Sequence, residues 1–212
     1  MTDPPSGVIK ILVADDQALV RGGLVAVLNL ESDLRVVAEV AHCGEVLAAA
    51  RRTDPDVALL DVQMPGDEAL PDGLAVAAAL RKAVPGCRVI ICTTFGRPGY
   101  FARAMAAGAA GFVLKDAPPE SLVEGIRRVH VGLRAVDPEL AAESLAIGIN
   151  PLTEREREVL RAARLGRGAA EIAKALHMSH GTVRNHLSSA IGKTDAANGA
   201  DAARIADNNG WL

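Results

Sequence analysis

Apolar residues follow two alternating spacings along residues 7–131 of the chain. Short runs rich in valine, isoleucine and leucine predict buried strands, and each is followed by a segment with apolar residues at helical spacing. The predicted strands are Ile9–Ala14, Leu34–Val40, Asp56–Leu60, Arg88–Cys92 and Gly111–Leu114. The helices after the first, which runs through Leu19 and Leu28, are predicted at Gly44–Arg52, Gly73–Val84, Gly99–Ala107 and Pro119–Val131. This alternation predicts an α/β domain with a parallel sheet and helices on both faces.

The pattern changes after Val131. Residues 132–149 form a predicted linker with one short helix-prone stretch, and residues 150–212 show helical spacing only. Thr153 followed by Glu156 predicts a capping box that opens a helix through about Arg164. Further helices are predicted at about Ala169–Leu176, Gly181–Ile191 and Gly199–Asp207. We therefore expect two domains, at 7–131 and 150–212, joined by the linker.

Two of the short helices in the second domain have the spacing of a helix-turn-helix. His177–Ser179 forms the predicted turn, and the inward face is made by Ile172, Ala173, Leu176, Val183 and Leu187. Arg184, Asn185 and Ser188 then point outward, where bases or phosphates of a DNA major groove can be met. A generic helical hairpin shows the same pattern and is the alternative.

Charge, cysteines and hydropathy narrow the class of protein. The net charge of −3 argues against a protein that coats nucleic acid through bulk charge, although residues 151–212 carry nine Lys/Arg against seven Asp/Glu. Cys43, Cys87 and Cys92 lack metal-ligand spacing and are expected to be buried thiols. The segment Met1–Pro5 has no basic or apolar character, and no apolar stretch reaches membrane-spanning length. We expect a cytoplasmic protein without membrane insertion.

Acidic residues stand where two predicted strands end. Asp15 and Asp16 follow the first strand, and Asp61 follows the third, so the carboxylates should converge at one edge of the sheet. An oxygen-only cluster suits Mg²⁺, which would neutralise a phosphoryl donor. Thr93 and Lys115, at the ends of the last two strands, add a hydroxyl and an ammonium for phosphoryl oxygens. A strand-end aspartate also caps helices, but the joint occurrence of all five residues favours phosphoryl chemistry.

These residues lie in sequence motifs that resemble those of the receiver domain of two-component response regulators. The motifs are Asp15-Asp16, Leu59-Leu60-Asp61-Val62-Gln63-Met64-Pro65, Cys92-Thr93-Thr94 and Phe112-Val113-Leu114-Lys115. The resemblance implies a flavodoxin-like (βα)5 fold with Asp61 as the phosphoacceptor. It implies that Asp16 and Asp61 bind Mg²⁺ directly, Asp15 through water, and Gln63 by its main-chain carbonyl. Thr93 and Lys115 would bind the phosphoryl group, and Phe112 is either an aromatic switch or a core residue.

One segment departs from the receiver pattern. Asp72-Gly73 lies further beyond Asp61 than the equivalent pair of most receivers, so Gly66–Pro71 contains an apparent insertion. Because this segment borders the predicted site, its acids are expected to influence metal affinity, access of the phosphodonor or dephosphorylation.

The second domain resembles the LuxR-type helix-turn-helix. The resemblance rests on Leu152–Leu160, Glu171-Ile172-Ala173, Thr182-Val183-Arg184-Asn185-His186 and Lys193. It implies DNA contacts by Thr182, Arg184, Asn185, His186, Ser188 and, to a phosphate, Lys193, although His186 is otherwise a packing residue. The charges of Glu154–Glu158 predict a solvated helix face with i,i+4 pairs and no DNA role.

Together the two domains resemble the NarL/FixJ family, and the segment Thr93–Tyr100 with Gly210-Trp211-Leu212 resembles its DesR-like branch. The resemblance implies a transcription factor for double-stranded DNA that becomes a homodimer when a cognate sensor histidine kinase, in that branch a membrane protein, phosphorylates Asp61. One alternative is a phosphorylation-independent regulator of the same fold. The other is an aspartate-nucleophile phosphatase, against which Gln63 stands where such hydrolases carry a second acid. We expect no enzyme.

Overall fold

The computed structural model describes residues 7–94, 96–146 and 150–212. These divide into two compact units, the residues up to Gly96 with Arg103–Pro138, and Glu139–Leu212 with Arg97–Ala102. The segment Met1–Pro5, Phe95 within the segment Thr93–Tyr100, and residues 147–149 of the predicted linker lie outside the described residues.

The first unit is built on a parallel sheet. Its strands are β1 (Ile9–Ala14), β2 (Leu34–Val40), β3 (Val57–Leu60), β4 (Arg88–Thr93) and β5 (Gly111–Leu114). The helices that connect and follow the strands along the chain are α1 (Ala18–Leu28), α2 (Cys43–Thr53), α3 (Gly73–Ala83), α4 (Pro98–Ala107), whose residues up to Ala102 are assigned to the other unit, and α5 (Pro119–His130). The strand order is β2-β1-β3-β4-β5, and every pairing is parallel. The predicted five-stranded, doubly wound (βα)5 sheet is confirmed, with the order of connection reversing between β1 and β3.

Aliphatic side chains fill both sides of this sheet. Helices α1 and α5 cover one face, over Ile11, Leu59 and Ile90, which are at most 1% exposed. Helices α2 and α3 pack on the other face and against each other. Strands buried on both faces need apolar residues at every position, which is why β3 has the unbroken sequence Val-Ala-Leu-Leu.

The second unit consists of helices. They are α6 (Pro138–Ala146), α7 (Glu154–Arg164), α8 (Ala169–Ala175), α9 (His180–Thr194) and α10 (Gly199–Asn208). The predicted capping box is present, with the Thr153 side chain accepting from the Glu156 amide and the Glu156 side chain accepting from the Thr153 amide. Helix α9 continues three residues past its predicted end, to Thr194, and Asp195 caps it in a left-handed conformation with φ of 51°. Ile172 and Val183 form the predicted buried face, at 1% and 0% exposure.

The three cysteines are buried free thiols, as expected. Burial raises the pKa of Cys43 to about 11 and the pKa values of Cys87 and Cys92 to about 12. These groups therefore stay protonated, and hence poor nucleophiles, at neutral pH. Within the part of the chain that the structure describes, no helix combines the length and apolar character that crossing a membrane requires.

Candidate functional site

Three carboxylates meet at the carboxyl ends of β1 and β3. Because Ala14 and Leu60 are partners in neighbouring strands, the residues that follow them emerge side by side. One ligand oxygen each from Asp15, Asp16 and Asp61 lies within 4.8 Å of the others. Asp15 and Asp61 are only 1% and 3% exposed, whereas Asp16 faces solvent. The cluster is thus open on one side and enclosed on the other.

Lys115 reaches this cluster from the end of β5. Its Nζ atom lies 2.7 Å from Oδ2 of Asp15 and 3.0 Å from Oδ2 of Asp61, and its side chain is 7% exposed. Burial alone lowers the pKa of Lys115, but the two carboxylates outweigh it and raise that pKa. Burial also raises the pKa of Asp61, and the ammonium of Lys115 offsets this only in part.

The residues present fit a hard divalent cation. Three carboxylates share the single ammonium of Lys115 among the described residues, and two of them, Asp15 and Asp61, are buried beside it. Such an arrangement is repulsive unless more positive charge is supplied. Oxygen-only donors, one of them open to water, match the coordination that Mg²⁺ prefers. Gln63, whose carbonyl is a predicted ligand, is an exposed bend residue two positions after Asp61.

Thr93 and Phe112 belong to the last two strands of the sheet. Thr93 ends β4 and is fully buried, and its carbonyl accepts a 2.9 Å hydrogen bond from the amide of Lys115. Phe112 lies beside Ile91 and is 3% exposed, so it occupies the core in this structure. The strand ends therefore bring Thr93 and Lys115 to the same edge as the acids.

The inserted segment leaves Asp72 and Gly73 close to Asp61. Asp72 caps α3 by accepting from the amide of Ala75 at 2.8 Å, and Gly73 donates to the carbonyl of Val62 at 3.0 Å. The extra residues form a turn of their own, in which Asp67 accepts from the amides of Ala69 and Leu70 at 2.9 Å. The insertion thus lengthens the loop, and α3 begins against the backbone of Asp61.

Arg21 is a neighbour of the site that sequence reasoning missed. Its guanidinium donates to the main-chain carbonyl of Asp15 at 2.6 Å and lies 3.6 Å from Glu39 on β2. The side chain thereby connects the first turns of α1 to the acidic loop. Arg21 follows Asp15 closely enough in the sequence for its side chain to reach back to the acidic loop. Only the folded loop shows that its hydrogen-bond partner is the main-chain carbonyl of Asp15.

Helix α9 presents the predicted DNA-binding residues on its outer side. Thr182, Arg184, Asn185 and Ser188 are exposed, and His186 is half-buried. Ser179 caps the helix by accepting from the amide of Thr182 at 3.0 Å. The cap fixes the residue at which α9 begins, and therefore the side of the helix on which each of these side chains lies.

Glu156 corrects the prediction of a solvated face on α7. Its neighbours form surface pairs as expected, Arg155 with Glu158 and Arg157 with Glu154, at i,i+3 rather than i,i+4 spacing. Glu156 itself is 3% exposed and pairs with Lys193 of α9, whose Nζ lies 2.7 Å from Oε2. Lys193, predicted to meet a phosphate, thus has a partner inside its own domain.

Two known families match the chain. Residues 11–127 match the family described as "Response regulator receiver domain", and residues 150–206 match "Bacterial regulatory proteins, luxR family".

Relatives match over nearly the whole chain. The transcriptional regulatory protein YvfU of Bacillus subtilis is 42% identical, over 96% of this chain and 100% of its own. DesR of the same organism, also a transcriptional regulatory protein, is 41% identical over 96% and 99%. Among solved structures, RcsB, in a structure of two dimers bound to two parallel DNAs, is similar with a TM-score of 0.68 and 25% identity, covering 95% of this chain and 99% of that one.

Proposed function

Because this chain belongs to the NarL/FixJ family of response regulators, which join a receiver domain to a LuxR-type DNA-binding domain, we propose that phosphorylation of Asp61 controls its binding to DNA. The observation that carries the proposal is the convergence of Asp15, Asp16, Asp61 and Lys115 at one end of the sheet. The phosphodonor is a cognate sensor histidine kinase, and the target is double-stranded DNA. DNA as the target also supports a cytoplasmic location.

At the receiver, one carboxylate oxygen of Asp61 attacks phosphorus as the bond to the donor histidine breaks, which leaves an acyl phosphate on Asp61. Mg²⁺, held by Asp15, Asp16, Asp61 and the Gln63 carbonyl, would neutralise the phosphoryl oxygens. Lys115 then turns from the carboxylate pair toward the phosphoryl group, and the Thr93 hydroxyl donates a hydrogen bond to a phosphoryl oxygen. The buried Phe112 follows Thr93 and carries the change to the surface of the receiver.

At the DNA, α9 enters the major groove. The exposed side chains of Arg184 and Asn185 suit base edges, and Thr182 and Ser188 suit phosphates or bases. His186, half-buried, lies at the border of this surface. A single helix-turn-helix of this size gains specificity by pairing two half-sites, so the active form is a homodimer.

The homodimer uses the exposed side of α1. Leu19, Gly22, Gly23 and Ala26 are all exposed and share one helix face, with Leu19 at 90% exposure. A Cβ on either glycine would meet no atom within 4 Å, so packing inside the receiver does not call for glycine there. Two glycines inside a helix cost stability, and close approach of a second copy accounts for them. We call these four residues the α1 face.

The domains extend over 7–131 and 150–212, with 132–149 as the linker. The family matches at 11–127 and 150–206 support these limits. Helix α6 (Pro138–Ala146) then belongs to the linker rather than to either domain.

A phosphodonor experiment tests the proposal. Wild type and Asp61→Asn are treated with Mg²⁺ and acetyl phosphate or beryllofluoride, and their mass in solution and binding to a genomic fragment library are measured. Wild type alone should dimerise and enrich specific fragments. Equal binding by untreated Asp61→Asn would instead indicate a phosphorylation-independent regulator. Steady turnover of a generic phosphoester would indicate a phosphatase.

A further inference from the structure

We propose that Glu156 is a positioning residue for the recognition helix, and that Lys193 serves this contact rather than a DNA phosphate. The inference rests on the proposed binding of DNA by α9. It starts from the most buried carboxylate of the described part of the second unit, which sequence reasoning assigned to solvent.

Both oxygens of Glu156 are used. Oε2 accepts from the amide of Thr153 and from Nζ of Lys193, each at 2.7 Å, and Oε1 accepts from Oγ of Ser189 at 2.6 Å. The Thr153 contact ties the carboxylate to the start of α7. The other two tie it to α9, so one side chain joins the two helices.

Ser189 and Lys193 are four residues apart on α9 and therefore lie on one flank of that helix. Two contacts one turn apart resist both rotation of α9 about its axis and sliding along it. The same helix packs Val183, Leu187 and Ala190 into the apolar core on a neighbouring face, and apolar contacts carry no directional preference. A polar contact with fixed geometry supplies what that apolar face lacks, because base readout tolerates displacements of only about half an ångström.

The charge balance favours the internal role for Lys193. A carboxylate as buried as Glu156 requires a partner, and Lys193 is the cation within 4 Å of it among the described residues. The pKa of Glu156 agrees with this pairing, since burial alone would raise it, yet Lys193, Ser189 and Thr153 lower it to about 2. A lysine neutralised in this way releases few counterions when DNA binds nearby.

Salt dependence separates the two roles of Lys193. Full-length protein is activated with beryllofluoride and Mg²⁺, and its affinity for an enriched genomic fragment and for a shuffled fragment is measured over a range of salt concentrations. If Lys193 positions α9, Lys193→Met weakens binding to the enriched fragment by about tenfold and leaves the slope of log affinity against log salt unchanged. If it contacts a phosphate, the slope falls by about 0.9 and both fragments lose affinity together.

Companion variants keep the result decisive. Lys193→Arg should retain specificity because arginine can pair with Glu156, and Ser189→Ala, which is milder, should reduce specificity in the same direction. Glu156→Gln combined with Lys193→Met should lose no more than the larger single effect, because both remove one contact. Independent, additive losses would overturn the proposal, as would a reduced slope in Lys193→Met. Wild type that fails to prefer the enriched fragment would instead refute the proposed function.

Discussion

Gly73 lies against the backbone of Asp61 so closely that a Cβ at this position would stand 1.8 Å from the Asp61 carbonyl oxygen. Any side chain there must push α3 away from the end of β3 or move Asp61. The start of α3 and the predicted phosphoacceptor are therefore positioned by a single contact that requires glycine.

Gly73→Ala should destabilise the receiver by about 1–3 kcal/mol, the usual cost of forcing atoms into a closely packed site. It should also slow phosphorylation, because Asp61 moves relative to Asp15 and Lys115. Urea unfolding followed by circular dichroism measures the first effect, and acetyl phosphate labelling the second. Gly44→Ala in α2 is the control, since nothing lies within 4 Å of its Cβ position. Equal stability of the two variants would contradict the close approach.

Arg21→Met should weaken Mg²⁺ binding by roughly tenfold, because groups that hold a ligand loop from outside typically contribute this much. The expected cause is the loss of the 2.6 Å hydrogen bond to the Asp15 carbonyl. Isothermal titration with Mg²⁺ measures the affinity. Glu39→Gln removes the 3.6 Å ion pair but keeps that hydrogen bond, so it should change the affinity little. A similar loss of Mg²⁺ affinity in both variants would show that Arg21 acts through its charge rather than by positioning the Asp15 loop.

Protonation of Glu156 should make the second domain less stable in acid. Folding lowers its pKa from 4.5 to about 2, so the charged form is favoured in the folded state. The contribution is complete above about pH 4.5 and disappears as the pH falls toward 2. It amounts to roughly 3 kcal/mol at full ionisation.

Trp211 provides the probe for this effect. It is the single tryptophan of the chain and packs against the core of the second unit. Urea unfolding followed by its fluorescence should show wild type losing its advantage over Glu156→Gln between pH 5 and 2. Curves that stay parallel across this range would show that Glu156 is not preferentially charged in the folded state.

Leu19→Asp should prevent dimerisation without affecting phosphorylation. The side chain is 90% exposed in the monomer, so a charge is tolerated there, but a charge buried without a partner in the proposed interface is costly. Sedimentation with beryllofluoride and Mg²⁺ should find a monomer, while acetyl phosphate labels Asp61 at the normal rate. Leu165→Asp, a change of the same kind at a 68% exposed residue of the second unit, should still dimerise. A dimer of Leu19→Asp would exclude the α1 face.

Much of the fold was predictable because its signals are local. Strands β1, β2 and β5 have the predicted bounds, since runs of apolar and β-branched residues mark them locally in the sequence. The meeting of Asp15, Asp16 and Asp61 was predictable as well, because the carboxyl ends of parallel strands share one edge of a sheet. Helix α9 was predicted too short, because Gly192 interrupts the helical pattern although its backbone continues the helix.

Contacts between distant parts of the chain were not predictable in the same way. Glu156 stands among alternating charges that are typical of a solvated helix, and only the approach of α9 buries it. The extra residues at Gly66–Pro71 suggested a changed site, yet they turn on themselves, and Gly73 still touches Asp61.

By itself, therefore, the sequence determined the succession of strands and helices along the chain, the division into two domains and the group of acids at the strand ends. These features follow from hydrophobic periodicity and connection rules, which act over short distances along the chain. Tertiary structure alone decided that Lys193 faces Glu156, that Arg21 holds the carbonyl of Asp15, and that Gly73 must lack a side chain. Each of these depends on how two elements pack, and packing is a property of surfaces that meet only when the whole chain has folded.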